Sequence, residues 1–283
     1  MSSSASNALA CARSFLFVPG NRPERFGKAV ASGADAVVLD LEDAVPLGDK
    51  AAARAAVRAA WPGLKALGRP LVVRINPARN ALGAQDLQLL AQLDALAGVM
   101  VPKAESAQDM AMVRAALPAV PILPLIESAA GLGALAAIAG APNVLRLVIG
   151  HIDFMADTGM QCAPGEPELA PLRFAVALAT RASALAPAID GVTLALHDGE
   201  QLRRDTRQSL RYGFGGKLCI HPRQVAVVHA VMAPAPEDLA WAQRVLAADA
   251  QSGGAAVQLE GRMVDLPVVL QARRLLARAA LSG

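Results

Sequence analysis

Short apolar runs alternate along the chain with longer segments rich in Ala and Leu that carry charges at helical spacing. This alternation is typical of repeated strand–helix units around a parallel sheet. We predict eight strands, in the runs SFLFVP (14–19), AVVLDLED (36–43), LVVRIN (71–76), GVMVPK (98–103), ILPLIES (122–128), LRLVIGHID (145–153), GVTLAL (191–196) and KLCIHP (217–222). Eight units in roughly 220 residues predict a TIM barrel, an α/β fold of eight strands, over residues 13–233.

Two segments lie outside these eight units. Residues 1–12 have neither a basic start nor a long apolar core, so they are not a secretory signal, and we expect a disordered arm. Residues 234–283 contain two helical patterns around a short extended piece, and we expect this C-terminal extension to act as a lid or an inter-subunit arm. A doubly wound open sheet is the alternative architecture, but no GxGxxG motif follows the first predicted strand.

Composition narrows the function classes. The chain has 283 residues, 54% of them hydrophobic, and 27 Lys and Arg against 24 Asp and Glu give a net charge of +3. No basic run stands out, which argues against nucleic acid binding, and no apolar run approaches the ~20 residues of a membrane span. The three cysteines, Cys11, Cys162 and Cys219, are widely spaced and form no zinc motif, so we expect a cytoplasmic protein.

Polar side chains close nearly every predicted strand, although strands buried on both faces should contain few of them. They are Asp40, Glu42, Asp43, Arg74, Asn76, Lys103, Glu127, Asp153 and His221. All fall at the carboxyl ends of the predicted strands, where TIM-barrel active sites are built. Because buried charges are costly unless they are paired or bind a metal, this convergence predicts a polar pocket.

Two of these carboxylates, Glu127 and Asp153, end neighbouring strands of the predicted barrel. Adjacent carboxylates are natural ligands for a hard divalent ion that also binds water or substrate oxygens. Arg74 is a bidentate donor suited to a carboxylate or a developing oxyanion. A single acidic residue after a strand is more often a helix cap than a catalytic group, so the prediction depends on the agreement among several strands.

A series of motifs occurs in order along the chain: RSFLFVPGNRPERFGKAVASGADAVVLDLEDAVP, VRIN, VPK, PLIESAAG, GHIDFMADTGM, GGKLCIHPRQV and GRMVDLP. Together they resemble the citrate lyase beta subunit and malyl-CoA lyase branch of the HpcH/HpaI aldolase family. The resemblance implies a TIM-barrel enzyme that cleaves or forms a carbon–carbon bond in a β-hydroxyacyl-CoA thioester of the citryl, malyl or citramalyl type. It also implies Mg²⁺ as the cofactor, coenzyme A as part of the substrate, and an oxo-acid as the other partner.

The resemblance also implies roles for particular residues. Glu127 and Asp153 would hold the metal, and Arg74 would bind the oxo-acid and stabilise its negative charge. Asp265 would be the base that takes the proton of the substrate hydroxyl, and relatives supply this Asp from a lid over a neighbouring subunit's site. The positions that would line the thioester site are Phe17, Arg22, Lys28, Ile220 and His221.

Several alternatives stay open at this point. A structural role for His221 has equal weight, and Arg22 and Lys28 are also compatible with solvated charges on the first helix. A pyruvate-type class II aldolase that releases an aldehyde would need the same metal and Arg74 but no nucleotide site. A citrate lyase beta subunit would act on an acyl-carrier-protein thioester, and a binding or regulatory barrel would catalyse nothing. The resemblance further implies a homo-oligomer, either a trimer or a hexamer.

Overall fold

Eight parallel strands close into a barrel in the order in which they occur along the chain. The structure, a computed structural model, describes residues 2–280. The barrel strands are β1 (Ser14–Pro19), β2 (Ala36–Asp40), β3 (Leu71–Arg74), β4 (Gly98–Val101), β5 (Ile122–Ile126), β6 (Val148–Ile149), β7 (Ile189–Asp190) and β8 (Gly216–Cys219). Phe15 of β1 pairs with Ala36 of β2 on one side and Leu218 of β8 on the other, which closes the ring. The predicted TIM barrel is confirmed.

Helices alternate with the strands, and those between consecutive strands cover the outside of the barrel. In the part of the chain that the structure describes, the α-helices are α1 (Ser2–Cys11), α2 (Pro23–Val30), α3 (Lys50–Ala66), α4 (Ala81–Leu90), α5 (Ala107–Ala116), α6 (Ala129–Gly133), α7 (Leu135–Ala139), α8 (His151–Thr158), α9 (Ala170–Ala182), α10 (Gly199–Arg211), α11 (Pro222–Met232), α12 (Pro236–Gln251) and α13 (Leu266–Ala280). Side-chain oxygens of Asn80, Ser106, Ser128 and Asp198 accept first-turn N–H groups of four of these helices. These caps fix where each helix begins.

Apolar side chains from all eight strands fill the barrel interior. The buried cluster includes Phe15, Ala36, Val38, Val72, Met100, Leu123, Leu125, Val148, Ile189 and Leu218. Intervening residues such as Val37 and Leu39 are also buried, because side chains alternate between the two faces of a strand and helices cover the outer face. This packed interior places a ligand site beyond the strand ends.

The amino-terminal segment corrects one prediction. The sequence pattern predicts a disordered arm for residues 1–12, but residues Ser2–Cys11 form α1, and Leu9 and Ala12 are buried in the same apolar cluster as the strands. The buried guanidinium of Arg146 donates hydrogen bonds to the carbonyl oxygens of Leu9 (3.1 Å) and Ala12 (2.6 Å). The arm is ordered because its apolar side chains and carbonyl groups find partners on the barrel.

Two predicted strands differ from the structure. β7 lies immediately before the predicted run of residues 191–196, in which Leu194 and Leu196 are 59% and 40% exposed. Gly191 and Thr193 of this run are buried, but the strand pairing ends at Asp190, so the run forms no barrel strand. The predicted strand that ends at Asp153 is shorter than expected, since β6 ends at Ile149 and Asp153 lies in the first turn of α8.

The chain divides into two compact units, Met1–His229 and Ala230–Gly283. In the second unit, α12 and α13 pack on an antiparallel hairpin of β9 (Val257–Leu259) and β10 (Arg262–Val264). Its buried core contains Ala242, Val245, Val264, Val269 and Ala272. The predicted role of residues 234–283 as a lid or inter-subunit arm stays a prediction, and residues 1 and 281–283 of the two predicted end segments lie outside the described residues. Across the described helices, none has the length and apolar character needed to cross a membrane.

Candidate active site

The carboxyl ends of β2 and β3 place Asp40 and Arg74 side by side. The two residues are partners in the parallel register of these strands, so their side chains emerge on the same face of the sheet. Arg74 donates from Nε to Asp40 Oδ1 (2.7 Å) and from Nη2 to Asp40 Oδ2 (2.6 Å), which is a bidentate ion pair. Asp40 is itself oriented by the N–H groups of Glu42 (2.9 Å) and Ala44 (3.3 Å). The guanidinium is therefore held in one orientation.

Arg74 makes two further contacts. Its Nη1 lies 2.9 Å from Glu42 Oε2, and its guanidinium lies over the Phe17 ring, 4.9 Å from the centroid. Burial lowers the pKa of Arg74, but the carboxylates of Asp40 and Glu42 raise it overall above its ordinary value, so the side chain stays cationic. Two of its five N–H groups donate hydrogen bonds to Asp40, and neither oxygen of Glu42 accepts a hydrogen bond from the described residues, so donors remain for an anionic ligand.

Glu42 is a buried carboxylate that links the two cations of the site. Besides its contact with Arg74, its Oε1 lies 3.6 Å from Lys103 Nζ. Burial raises the pKa of Glu42 to about 7, an effect that Arg74 opposes and that Asp43 and Asp40 reinforce. Partial burial lowers the pKa of Lys103, but Glu42 and the other carboxylates nearby raise it overall. Lys103 therefore remains charged at the mouth of the site.

Glu127 follows β5 directly and is almost fully buried. Its Oε1 accepts a hydrogen bond from the backbone N–H of Lys103 (2.7 Å), a residue with a left-handed backbone at φ +47°. Its Oε2 is buried without a hydrogen-bond partner among the described residues. Burial raises the pKa of Glu127 to about 8, and the charge of Glu42 reinforces this shift. Gly150 makes room for the carboxylate, because a Cβ at that position would lie 2.5 Å from Oε2.

Glu127 and Asp153 line the same cavity, and their donor atoms suit a divalent ion. Within residues 2–280, no group of three or more His, Cys, Asp or Glu side chains could hold a metal ion alone. Mg²⁺ fits the pair of Glu127 and Asp153, since it commonly binds one or two carboxylates and takes its other ligands from water and substrate. The unpartnered Oε2 of Glu127 is the structural observation that favours such an ion.

The cavity at the carboxyl ends of the strands has a volume of about 180 Å³. Five of the predicted site residues line it: Phe17, Arg74, Glu127, Asp153 and Ile220. Its apolar wall includes Leu125, Ile149 and Leu218. A cation, two carboxylates and an apolar wall together suit a small oxo-acid beside a longer acyl group.

Three predicted binding residues do not line this cavity: Arg22, Lys28 and His221. Arg22 directly precedes α2 and Lys28 lies in its last turn, and both side chains are exposed. His221 is half-buried, and its Nδ1 accepts a hydrogen bond from the N–H of Arg223 (3.2 Å). This contact agrees with a structural role for His221, whereas the two exposed cations remain accessible to a ligand.

Asp265 belongs to the second unit, where it lies between β10 and α13. Its Oδ1 accepts a long hydrogen bond from the N–H of Val268 (3.4 Å) at the start of α13, so it also contributes to a helix cap. Large apolar side chains around it are exposed, with fractions of 71% for Met263, 65% for Leu266 and 39% for Leu270. The catalytic role of Asp265 stays a prediction.

His151 lies in the motif GHIDFMADTGM, but its position there does not reveal its contact with Glu166 or its place in the cavity. His151 lines the cavity, and its Nε2 lies 3.5 Å from Glu166 Oε1. Glu166 also accepts a hydrogen bond from Arg173 (2.8 Å), whose Nε lies 3.4 Å from Asp190. Burial lowers the pKa of His151. Gly191 is the one signal that a sequence offers, because a Cβ there would lie 2.1 Å from His151 Nδ1.

Comparison with protein family models identifies the family to which this chain belongs. The family model described as HpcH/HpaI aldolase/citrate lyase matches residues 13–222, well over half of the chain. The chain belongs to the HpcH/HpaI aldolase/citrate lyase family. A second model, described as a C–C bond lyase of the TIM-barrel fold, matches residues 179–283 of this HpcH/HpaI family member. The resemblance inferred from the motifs and the prediction of a carbon–carbon lyase are both confirmed.

Named relatives resemble this HpcH/HpaI family member over nearly its whole length. A citrate lyase subunit beta-like protein from Deinococcus radiodurans is 40% identical over 279 residues, which cover 95% of this chain and 97% of the relative. A (3S)-malyl-CoA thioesterase from Cereibacter sphaeroides is 33% identical over 270 residues, with 94% of each chain covered. The crystal structure of CitE from Mycobacterium tuberculosis with magnesium, acetoacetate and coenzyme A has 38% identity and a TM-score of 0.80, and covers 96% of this chain and 99% of that chain.

Proposed function

We propose that this protein cleaves or forms the carbon–carbon bond of a β-hydroxyacyl-CoA thioester of the citryl, malyl or citramalyl type, with an oxo-acid and an acyl-CoA as the other reactants. The observation that carries the proposal is the cavity in which Arg74, Glu127 and Asp153 meet, with one buried carboxylate oxygen left without a partner. The magnesium and coenzyme A bound to CitE from M. tuberculosis support the same requirements here.

Binding of the oxo-acid would rest on three side chains. Glu127 and Asp153 would hold Mg²⁺, which supplies a Lewis acid that stabilises negative charge on oxygen. Arg74 would bind the oxo-acid with N–H donors that its hydrogen bonds to Asp40 leave free. Because its orientation is fixed before substrate arrives, Arg74 needs no reorganisation as charge develops during the reaction.

Cleavage also needs a base for the substrate hydroxyl, and Asp265 is the residue we assign to this task. It would take the hydroxyl proton while the C–O bond becomes the carbonyl of the oxo-acid and the adjacent carbon–carbon bond breaks. The electron pair of that bond passes to the thioester as an enolate, which then takes up a proton at carbon. In the synthetic direction, Asp265 would remove the methyl proton of an acetyl thioester.

Coenzyme A would be bound along β1 and β8. Phe17 and Ile220 line the cavity at these strands, and Ile220 is 38% exposed, which leaves it accessible to the acyl arm. Arg22 and Lys28 are exposed cations on the first strand–helix unit and suit the phosphates of the nucleotide. An aldolase that releases a free aldehyde would need neither cation, so these residues favour the thioester.

Thioester hydrolysis is a second candidate function, because the C. sphaeroides relative is named a malyl-CoA thioesterase. Hydrolysis would release a hydroxy-acid and the free thiol of coenzyme A. Carbon–carbon cleavage would instead release an oxo-acid and keep the thioester bond intact. The two reactions therefore differ in products that can be measured in one sample.

The test is to incubate the purified protein with malyl-, citramalyl- and citryl-CoA, with Mg²⁺ or with a chelator. Oxo-acid is measured as its hydrazone and free thiol with a thiol reagent. We expect one thioester to release oxo-acid in a reaction that the chelator stops, with no matching release of thiol. The isosteric variant Glu127→Gln should lose this activity while it keeps the fold by circular dichroism.

Other outcomes would change the assignment. Thiol release without oxo-acid would replace the lyase by a thioesterase. No turnover of any CoA thioester by folded protein that binds Mg²⁺ would reject the proposal and favour a carrier-protein thioester or an aldehyde-releasing aldolase.

We also propose that the protein is a homo-oligomer, a trimer or hexamer, in which one copy supplies Asp265 to the site of another. The support is the exposed apolar set around Asp265, formed by Met263, Leu266 and Leu270. Clustered apolar side chains on a surface commonly mark an interface. Sedimentation of the purified protein as a monomer with full activity would reject this assembly.

A further inference from the structure

A groove on the outside of the barrel carries a charge pattern that the proposed lyase reaction does not use. It lies between the loop of residues 164–166 and helix α10, and its volume is about 520 Å³. Three arginines of α10 line it: Arg204, Arg207 and Arg211. None of its lining residues belongs to the cavity that contains Arg74 and Glu127.

The three arginines occupy positions i, i+3 and i+7 and therefore share one face of α10. At a rise of 1.5 Å per residue they span about 10 Å along the helix axis. All three are exposed, and none forms an ion pair or a side-chain hydrogen bond with a residue that the structure describes. Their neighbour Arg203 differs, since it pairs with Glu200 (2.6 Å) and does not line the groove.

The two carboxylates that line the groove already have partners outside it. Glu166 contacts Arg173 at 2.8 Å, and Asp205 accepts a hydrogen bond from Thr193 Oγ1 at 2.7 Å. Neither is paired with an arginine of the groove in the described chain. Like charges at i and i+4, as at 207 and 211, destabilise a helix unless an anion lies between them.

We propose that this groove binds an elongated anion with two or more phosphate groups, such as inorganic triphosphate or the phosphate chain of a nucleotide. Arginine forms bidentate hydrogen bonds to phosphate, and three guanidinium groups spread over about 10 Å suit a chain of phosphates better than a single one. The amide of Gln201 adds a neutral donor along the same groove, and the amide of Gln208 keeps a second N–H besides the one that it donates to Gly165 O (3.3 Å). Its lining residues, all within the described chain, include no aromatic side chain, so the phosphates rather than a base carry the recognition.

The experiment is calorimetric titration of the full-length protein, in chelator and at low ionic strength, with inorganic triphosphate, ATP and inorganic phosphate. We expect triphosphate and ATP to saturate one site with similar affinity, and phosphate to bind much more weakly. Added salt should weaken the binding, because the arginines are exposed. The double variant Arg204→Ala/Arg207→Ala should bind triphosphate at least about tenfold more weakly, since two charged donors are lost. Alanine suits an exposed helix position, so this variant should fold.

Two control variants separate the groove from general charge and from the proposed thioester site. Arg58→Ala/Arg203→Ala removes two arginines that lie outside the groove and should keep the wild-type affinity. Arg22→Ala/Lys28→Ala lacks the cations proposed for coenzyme A, so it should keep the affinity of the groove and lose only phosphate binding that belongs to the thioester site. Loss of binding in either control, no saturable binding of triphosphate, or unchanged binding by Arg204→Ala/Arg207→Ala would each overturn the proposal. A changed sedimentation coefficient of the groove variant, with wild-type affinity for triphosphate, would instead assign this face to an interface between copies.

Discussion

Asp40 and Arg74 are paired twice, as partners in the parallel register of β2 and β3 and as a bidentate ion pair with contacts of 2.6 and 2.7 Å. The backbone pairing sets the spacing between the two residues, and the strand ends direct both side chains to the same face. The carboxylate therefore orients the guanidinium from the end of the neighbouring strand. The pairing of the barrel strands therefore fixes the orientation of Arg74, the side chain that we assign to binding of the oxo-acid.

Replacing Asp40 by Asn should keep the shape of the side chain and remove the charge that orients Arg74. We expect kcat/KM to fall by about a hundredfold, mainly through kcat, because a misoriented cation stabilises developing charge less well. The melting temperature should fall as well, since the buried guanidinium loses a charged partner. Steady-state kinetics and thermal unfolding of the same preparation measure the two effects.

Asp43→Asn is the matched control for this change, because Asp43 lies three residues after Asp40 but has an exposed side chain. It should keep both the wild-type melting temperature and the wild-type kcat/KM within about twofold, as most exposed substitutions do. Equal kinetics for the wild type and Asp40→Asn would show that the ion pair does not serve catalysis.

The barrel could be predicted because each strand–helix unit has a local pattern, but the exceptions depend on distant partners. Leu194 and Leu196 alternate like strand residues, yet they remain exposed because β7 precedes them. Helix α1 has little local signal for order, and Leu9 is buried because it packs against the barrel. Gly98 leaves space for it, since a Cβ there would lie 2.7 Å from a methyl of Leu9. Such contacts across the chain cannot be found from local periodicity.

The site could be predicted only as far as strand ends mark it. The rule that polar residues converge at the carboxyl ends found Arg74, Glu127 and Asp153, whereas the choice of Asp40 as the main partner of Arg74 depends on strand register. The hydrogen bond from the backbone N–H of Lys103 to Glu127 depends on the left-handed φ of Lys103, which cannot be predicted from the residue type. Backbone donors of this kind must be observed in a structure.

A shared active site predicts complementation between two inactive variants. Glu127→Gln and Asp265→Asn should each have little activity alone, because each lacks one group of the proposed site. When the two chains are assembled together in equal amounts, about a quarter of the sites should combine an intact Glu127 with an intact Asp265 from a neighbouring copy. The oxo-acid assay on the co-purified mixture should then recover about that fraction of the wild-type rate.

The control for complementation assembles Glu127→Gln with the double variant Glu127→Gln/Asp265→Asn. No site in that mixture has an intact Glu127, so activity should not recover whichever copy supplies Asp265. Failure of the first mixture to recover, despite mixed assembly shown by two affinity tags, would place Asp265 in the site of its own chain or outside catalysis.

Magnesium binding should depend on pH through Glu127. Burial raises the pKa of Glu127 from an ordinary value of 4.5 to about 8, so below that pH the metal must displace a proton. We expect the affinity for Mg²⁺ to rise by up to about tenfold per pH unit between about pH 6 and pH 8 and to level off above. Calorimetry in two buffers that differ in ionisation enthalpy measures the released proton directly.

The raised pKa of Glu127 also predicts how the free energy of unfolding of the metal-free protein changes with pH. A carboxyl with a higher pKa in the folded state binds its proton more tightly there, so its contribution to the free energy of unfolding is lost as pH rises from about 4.5 to about 8. The melting temperature should fall over this range, and Mg²⁺ should restore it most at the alkaline end. In Glu127→Gln, the melting temperature should fall less steeply with pH, because only the contribution of Glu42 remains. Mg²⁺ should no longer raise the melting temperature of this variant. An equal stabilisation by Mg²⁺ at both ends of the range would mean that the ion binds away from Glu127.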